Sequence, residues 1–337
     1  MKKWILTCSA FLLFLAGVSA WRLLIELSAP YYAASIDGVF VEIPRGSGPS
    51  AIAEQLVAAG VLRSEFPFLA YLRWSGDSRH LQAGEYRFAG PAAPTAVAAR
   101  LVRGDIYRIS VTIPEGLTTD DTLQLITEHG LGDAGALRKA ALRTDWIRDL
   151  DDQATSLEGY LFPDTYLFGR RTKSEEIVRA MVDQFRARIR KLLRDHPLPA
   201  RRSLRDIVIL ASLIEKEART DEERRLVSSV LCNRLSARIP LACDPTIVYA
   251  LRLAGAYDGN IRKPDLGIDS PYNTYTRLGL PPGPIANPGE SSLRAALSPE
   301  VTDYLYFVSR NDGTHQFSRD FRSHERAVEQ FQRRPRR

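Results

Sequence analysis

The 337-residue sequence is poor in the residues that build metal and thiol sites: it holds three cysteines and five histidines. No Cys-x-x-Cys pair or zinc-type cluster occurs, and His80, His129, His196, His315 and His324 never fall in a His-Glu-x-x-His spacing. A metal site is therefore not expected, and nothing in the chain calls for a cofactor. There is no Gly-x-Ser-x-Gly and no cysteine–histidine pair in a credible setting, which argues against a nucleophile-based peptidase or amidase. Cys8 falls inside an apolar run, where it serves as a small hydrophobe. Cys232 and Cys243 are eleven residues apart, and a bridge between them would close a short loop. Such a bridge is worth ~2–3 kcal/mol, and we expect the two to lie close enough to form it.

Negative charge is also in deficit. The formal net charge is +6 and the isoelectric point about 9.2, a balance that suits a polyanion or an anionic membrane surface. Much of the excess sits in two runs, Arg186–Arg205 and Arg333–Arg337, which read as a solvated helix face and a frayed tail. With 45% hydrophobic and 26% charged residues, the chain is otherwise an ordinary globular protein, long enough for two domains.

The first thirty residues are more informative. Lys2 and Lys3 precede an uncharged run, Trp4–Trp21, that Leu23–Ile25 extend weakly beyond Arg22. Its length is near the lower limit of the ~17–25 residues that span a bilayer as a helix. The positive-inside rule puts residues 1–3 in the cytoplasm, residues 4–25 in the membrane and the rest outside. Val18-Ser19-Ala20 also reads as a signal-peptidase site, so a cleaved leader is the alternative. Trp21 and Arg22 sit where an interface anchor would, and retention is the expectation. Either way the bulk of the chain is exported, which disfavours a nucleic-acid partner.

Beyond the anchor, a weak repeat appears. Ile43-Pro44-Arg45-Gly46 and Ile113-Pro114-Glu115-Gly116 each open a segment that reads as strand end, turn and short helix closed by Gly. Strands are expected at Val39–Ile43, Tyr107–Ile113 and Tyr304–Ser309, and helices at Pro49–Ala59, Pro67–Trp74 and Thr95–Arg103. Ser156–Tyr166, aromatic and broken by Gly159 and Pro163, reads as a loop that packs rings. Thr172 with Glu175 forms a capping box for the next helix, and Ser203 caps the helix Leu204–Ala218. Asp221–Ser236 is helical after a short break, and from Pro240 onward Pro, Gly and Tyr describe an ordered groove-lining loop region.

The helix from Leu204 carries the unusual feature. It is apolar almost all round until Glu215-Lys216-Glu217, so it should be buried on most sides. Glu215 falls within about 40° of Leu204, Val208 and Ala211 around the axis, at the end of a buried stripe. A carboxyl group buried there without a counter-ion would have the raised pKa of a general acid. The plain alternative is a buried helix reaching solvent, and residue physics alone does not decide between them. Glu217 points about 200° away from Glu215, shares a face with Leu210 and Leu213, and reads as a local cap or pair.

The run Leu210-Ala211-Ser212-Leu213-Ile214-Glu215-Lys216-Glu217 resembles the signature of the endolytic murein transglycosylases, the YceG-like family. Four further stretches agree in order and spacing: Glu158–Tyr166, Asp244–Tyr249, Ser270–Tyr275 and Gly279–Gly289. Tyr304–Val308 and His315-x-Phe317 complete a likeness that covers Ile43 to Val328. The resemblance implies an α+β fold: a small LysM-like unit at residues 39–110, then a mixed catalytic domain at 111–332. It assigns the catalytic role to Glu215, the first glutamate of the signature. The implied reaction cleaves the β-1,4 bond between N-acetylmuramic acid and N-acetylglucosamine within nascent strands and closes a 1,6-anhydro ring, ending elongation. One carboxyl suffices because the attack is intramolecular.

Rings stack on pyranose faces and amides bond acetamido groups, so Tyr272, Asn273 and Tyr275 are the candidates for sugar contact. Gly283 and Asn287 would shape the same loop. Asp164 and Asp244 read as turn-formers and Glu158 as a structural contact. The implied substrate is the peptidoglycan glycan strand, the implied place the inner membrane with the catalytic domain outside, and cell-wall synthases are candidate partners. The rival reading is an anchored glycan-binding scaffold protein without catalysis.

Overall fold

The computed structural model describes residues 2–33 and 38–333; Met1 and, apart from Arg333, the expected basic tail lie outside them. The chain divides into two compact units, Met1–Arg108 and Ile109–Arg337. Both mix helices with small antiparallel sheets, so the architecture is α+β.

The first unit begins with α1 (Lys2–Ser28), whose Ser9–Ser28 stretch is long and apolar enough to cross a membrane and is nowhere buried. There follow β1 (Val39–Ile43), α2 (Pro49–Ala58), α3 (Glu65–Ser75), β2 (Gly84–Phe88) and α4 (Pro94–Arg103). Pro49 and Pro94 stand in the first turns of their helices, where a missing N–H costs nothing. β1 pairs antiparallel with β2, Val41 opposite Tyr86, and the alternate residues Val41, Ile43, Tyr86 and Phe88 face one core with Ile52, Leu56, Phe68 and Leu101. α1 packs against α3 and α4.

The second unit runs β3 (Ile109–Thr112), α5 (Thr119–Glu128), α6 (Ala134–Ala141), β4 (Thr165–Phe168), α7 (Ser174–Asp195) and α8 (Leu204–Glu217). It continues with α9 (Asp221–Ser236), α10 (Asp244–Leu253), α11 (Glu290–Leu297), β5 (Tyr306–Ser309), β6 (His315–Ser318) and α12 (Phe321–Val328). Thr172 is not the cap of α7. The helix starts two residues later, and Thr172 N–H instead closes a turn on Gly169 C=O.

Helix α8 is the axis of this unit. Ser203 Oγ accepts from Asp206 N–H at 3.1 Å while Asp206 accepts from Ser203 N–H at 2.8 Å, so the first turn is closed by a reciprocal cap. Ile207, Val208, Leu210, Ala211, Leu213 and Ile214 are all fully buried, packed under α9, α10 and α11. Each large aliphatic side chain buried this way contributes about 1.5–3 kcal/mol, and Leu213→Ala would cost about 2–5 kcal/mol. Helical backbone stops at Ala218, whose extended conformation swings the chain into α9.

The Ser156–Tyr166 segment lies on α7 and α8. Tyr160 is fully buried, edge-on to Phe185 at 5.1 Å, and its hydroxyl donates to Asp151 at 2.8 Å. Gly159 has φ of +86°, and a Cβ there would meet Pro284 and lie 2.9 Å from Val208, so both conformation and space demand glycine.

Candidate active site

The two glutamates at the end of α8 enter different surroundings. Glu215 is 6% exposed; its Oε1 lies 3.4 Å from Arg224 Nη2, and its Oε2 accepts from Gly289 N–H at 2.9 Å. Arg224, on α9, also donates to Asp221 and to Ser292 Oγ, and lies 3.9 Å from Glu115. The expected carboxyl without a counter-ion is thus overturned at Glu215. The arginine comes from the next helix, beyond the break at Ala218. Glu115, in the turn after β3, packs its carboxylate on Gly289, where a Cβ would collide with it. Burial first, and then the charge of Glu215, push the Glu115 carboxyl above its ordinary value, with Arg224 opposing.

Glu217 is half-buried and lines two adjoining cavities, of about 440 and 370 Å³. The larger is walled by Asp244, Tyr275, Arg234, Tyr306, Phe307 and His324, among others. A third, of about 330 Å³, shares Lys216 and Asp244 with them and is walled by Tyr249, Tyr257 and Arg252. Glu215 lines none of these three. Burial pushes the Glu217 carboxyl up to about 7, the Asp244 carboxylate adds to the rise, and a hydrogen bond with the Cys243 thiol opposes it. Among the described residues no cation lies within ion-pair distance of Glu217, so it does not pair locally as expected.

Asp244 opens α10, where Pro245 fixes the first turn, and accepts from Tyr275 Oη. It therefore adds a second carboxylate to the cavity wall rather than only forming a turn. Arg234 donates to Leu241 C=O and stacks over Tyr306 at 5.2 Å, leaving its Nε unpartnered. His324 Nδ1 is unpartnered too, and burial followed by the charge of Arg234 pulls that ring's pKa down. His315 is held by Glu223, which accepts from its backbone N–H at 2.7 Å and lies 2.8 Å from its Nδ1.

The residues expected to touch sugar are placed unequally. Tyr275 lines the Glu217 cavity; Tyr272 is half-buried and tilted against Tyr249 at 4.8 Å. Asn273 is fully buried, donating to Leu266 and Ile268 C=O and accepting from Tyr275 N–H. Asn287 is also fully buried: its Oδ1 accepts from Gly159 and Leu161 N–H, both at 3.0 Å, and its Nδ2 donates to Leu117 C=O. In this conformation neither amide is free for a sugar. Gly283 lies under Tyr272, whose hydroxyl would stand 2.9 Å from a Cβ there. Glu158 is buried, accepting from Thr119 N–H at 2.9 Å and Tyr249 Oη at 3.2 Å, and burial pushes it up to about 7.

Cys232 and Cys243 are free thiols, so the expected bridge is absent. Cys243 is buried against Leu241 C=O and Glu217, and burial pushes its thiol well up.

Fold and site together define a two-unit α+β protein with an apolar N-terminal helix and a carboxyl-bearing helix end facing adjoining cavities. The chain belongs to the YceG-like family, whose model matches residues 41–330. A relative from Bacillus subtilis (strain 168), named endolytic murein transglycosylase, is 35% identical over 309 residues, 87% of this chain and 84% of the relative. A relative of the same name from Streptococcus pneumoniae (strain D39) is 28% identical over 360 residues, 95% of this chain and 64% of its own length. The crystal structure of a YceG-like protein from Listeria monocytogenes superposes with a TM-score of 0.58 at 33% identity, covering 87% of this chain and 99% of that one.

Proposed function

We propose that the chain is an endolytic murein transglycosylase and that Glu217, not Glu215, is its acid and base. The observation that carries this reading is the Glu217 carboxyl: raised to about 7, in no ion pair among the described residues, and on the wall of a cavity. A general acid needs a pKa near its working pH and access to substrate. Glu215 has its carboxylate committed to Arg224 and to Gly289 N–H. Those two bonds tie the end of α8 to α9 and to the Gly289 turn.

The cavity walls suit an N-acetylated glycan. Tyr275 offers a ring to pyranoses on the wall of the cavity, while Tyr306 is packed between Arg234 and His324 and shapes that wall. Glu217 protonates the glycosidic oxygen between N-acetylmuramic acid and N-acetylglucosamine. The resulting carboxylate then takes the proton of the muramyl 6-hydroxyl, whose oxygen closes the 1,6-anhydro ring. Tyr272 and Tyr275 position sugars, and Asn273, Gly283 and Asn287 hold the loop that presents them. The chain sits in the inner membrane through α1 with both units outside, cutting nascent strands near the synthases and so ending their elongation. A LysM-like glycan contact by the first unit has its support in the β1–α2–α3–β2 order.

The test is mass spectrometry of products from purified glycan strands. The unmodified chain should give 1,6-anhydromuramyl ends. Glu217→Gln should lower the rate by about 10²–10⁴-fold, the usual worth of a general acid–base. Full activity in folded Glu217→Gln would return the role to Glu215, and reducing ends without the anhydro ring would make the chain a hydrolase.

A further inference from the structure

The first unit carries an apolar surface that its own core does not use. Helix α3 buries Pro67, Phe68 and Leu72. Away from that core Phe66 is 67% exposed and Trp74, tilted against Tyr71, is 84% exposed, with Arg73 exposed between them; Ala70 is partly exposed, and Leu69 is partly exposed while also packing on the core. At 100° per residue these five fall within an arc of about 140°, a continuous stripe rather than scattered positions. An aromatic stripe of this kind on a small unit marks an interaction surface.

The joint with α1 indicates what covers it. The chain leaves α1 without a linker. Tyr31 exchanges backbone hydrogen bonds with Ala92 at 3.2 and 3.3 Å, Ala33 N–H donates to Gly60 C=O at 2.9 Å, and Thr95 Oγ1 donates to Leu27 C=O at 3.4 Å. Glu26, Ala29 and Pro30 share a small crevice with Arg63, Ser64 and Pro67. The start of α3 is therefore level with the end of the apolar stretch, and Phe66 immediately precedes Pro67 there.

We infer that the Phe66–Trp74 face of α3 seats in the lipid headgroup layer of the same bilayer that α1 enters. Aromatic rings are favoured at that depth, where an apolar body meets a wet edge. Arg73, exposed on the same face, adds a cation that an anionic surface attracts. The second contact makes α1 and α3 a two-point attachment that fixes the orientation of the first unit on the membrane. This rests on α1 being in the bilayer, but not on the transglycosylase reading.

The test uses the full chain in nanodiscs of zwitterionic and anionic lipid, with and without lipids brominated near the headgroup. Three variants each keep a single indole reporter beside Trp146, which is buried in the second unit and gives a constant background. The reporters are Trp21, Trp74 and a Phe66→Trp substitution. All three should lose most of their emission in brominated lipid, and the two α3 reporters should shift to the blue on reconstitution. A quenched Trp21 beside an unquenched reporter on α3 overturns the inference alone. An unquenched Trp21 removes the anchor, and the inference with it.

Discussion

Arg224 lies 3.4 Å from the carboxylate of Glu215 and is shared with Asp221 and, at 3.9 Å, with Glu115. One guanidinium thus gathers acids from α8, α9 and the turn after β3. Removing Glu215 takes the most buried of the three acids from Arg224 and strands Gly289 N–H, but leaves Asp221 and Glu115 in place, at a cost of about 1–3 kcal/mol. Glu215→Ala should lose that much in urea unfolding. Glu215→Gln should lose less, because the amide oxygen can still accept from Gly289 N–H. The folded fraction of either variant should keep kcat within a few-fold of the parent, whereas an acid–base role for Glu215 would abolish it.

The pH–rate profile should bend at Glu217. Its carboxyl sits at about 7, and the protonated form is the competent acid, so kcat/KM should fall on the alkaline side of that value. Asp244→Asn removes a neighbouring negative charge that raises Glu217. The alkaline limb of that variant should therefore move to lower pH. A limb that stays in place would show that the titrating group is elsewhere.

Glu158 makes a separate prediction about stability. Its folded-state value, about 7, is above the ordinary 4.5 of the unfolded chain, so the fold prefers the neutral form. Below 4.5 both states are protonated and nothing is lost. Between 4.5 and about 7 the unfolded chain ionises first, and stability falls as pH rises. Glu158→Gln keeps an acceptor for Thr119 N–H and offers Tyr249 Oη a donor, without the titration. Its advantage over the parent should grow across that window to about 1–3 kcal/mol at pH 8, read as a difference in melting temperature between pH 5 and pH 8. An advantage that does not change with pH would refute the assignment.

Asn287 ties three segments together through one amide. Asn287→Ala leaves Gly159 N–H and Leu161 N–H without an acceptor in buried surroundings, while Leu117 C=O keeps the backbone N–H of residue 287. An unsatisfied buried group costs about 1–3 kcal/mol, so a loss of about 3–5 kcal/mol is expected. Thermal unfolding measures it, and a loss under about 1 kcal/mol would mean that the loops rearrange around the gap.

The thiols should remain free in protein from its native compartment. Intact mass should be the same before and after reduction, apart from any adduct on an exposed thiol. A two-dalton shift would revive the Cys232–Cys243 bridge.

Helix α8 was legible because everything that makes it is local: a cap at Ser203, an acid three residues on, and an unbroken apolar run. The strand at Val39–Ile43 was legible for the same reason. β2 and β4 were not: Gly84–Phe88 opens on glycine and carries Glu85 and Arg87 where β1 has Val39, Phe40 and Val41, and Thr165–Phe168 is only four residues long beside an aromatic loop. α10 was read as loop because Pro245 looked like a breaker, whereas at a first-turn position it starts a helix. The helical wheel separated Glu215 from Glu217 correctly but could not say what each faces. Arg224 arrives from the next helix, beyond the bend at Ala218, and the cavity walls come from α10, the Tyr275 loop, β5 and α12. Burial of a helix face and absence of a counter-ion are different properties, and only the first is written in the local sequence.

The backbone bonds between Tyr31 and Ala92 have a consequence for how the chain meets its substrate. A domain on a flexible leash samples a hemisphere, and its effective concentration depends on leash length. With α1 in the bilayer as proposed, a unit bonded directly to its end has no leash to lengthen. The remaining freedoms of the first unit are then drift in the plane and rotation about the helix axis. Its own encounters become a two-dimensional search, governed by the number of strands per unit area of membrane rather than by their bulk concentration.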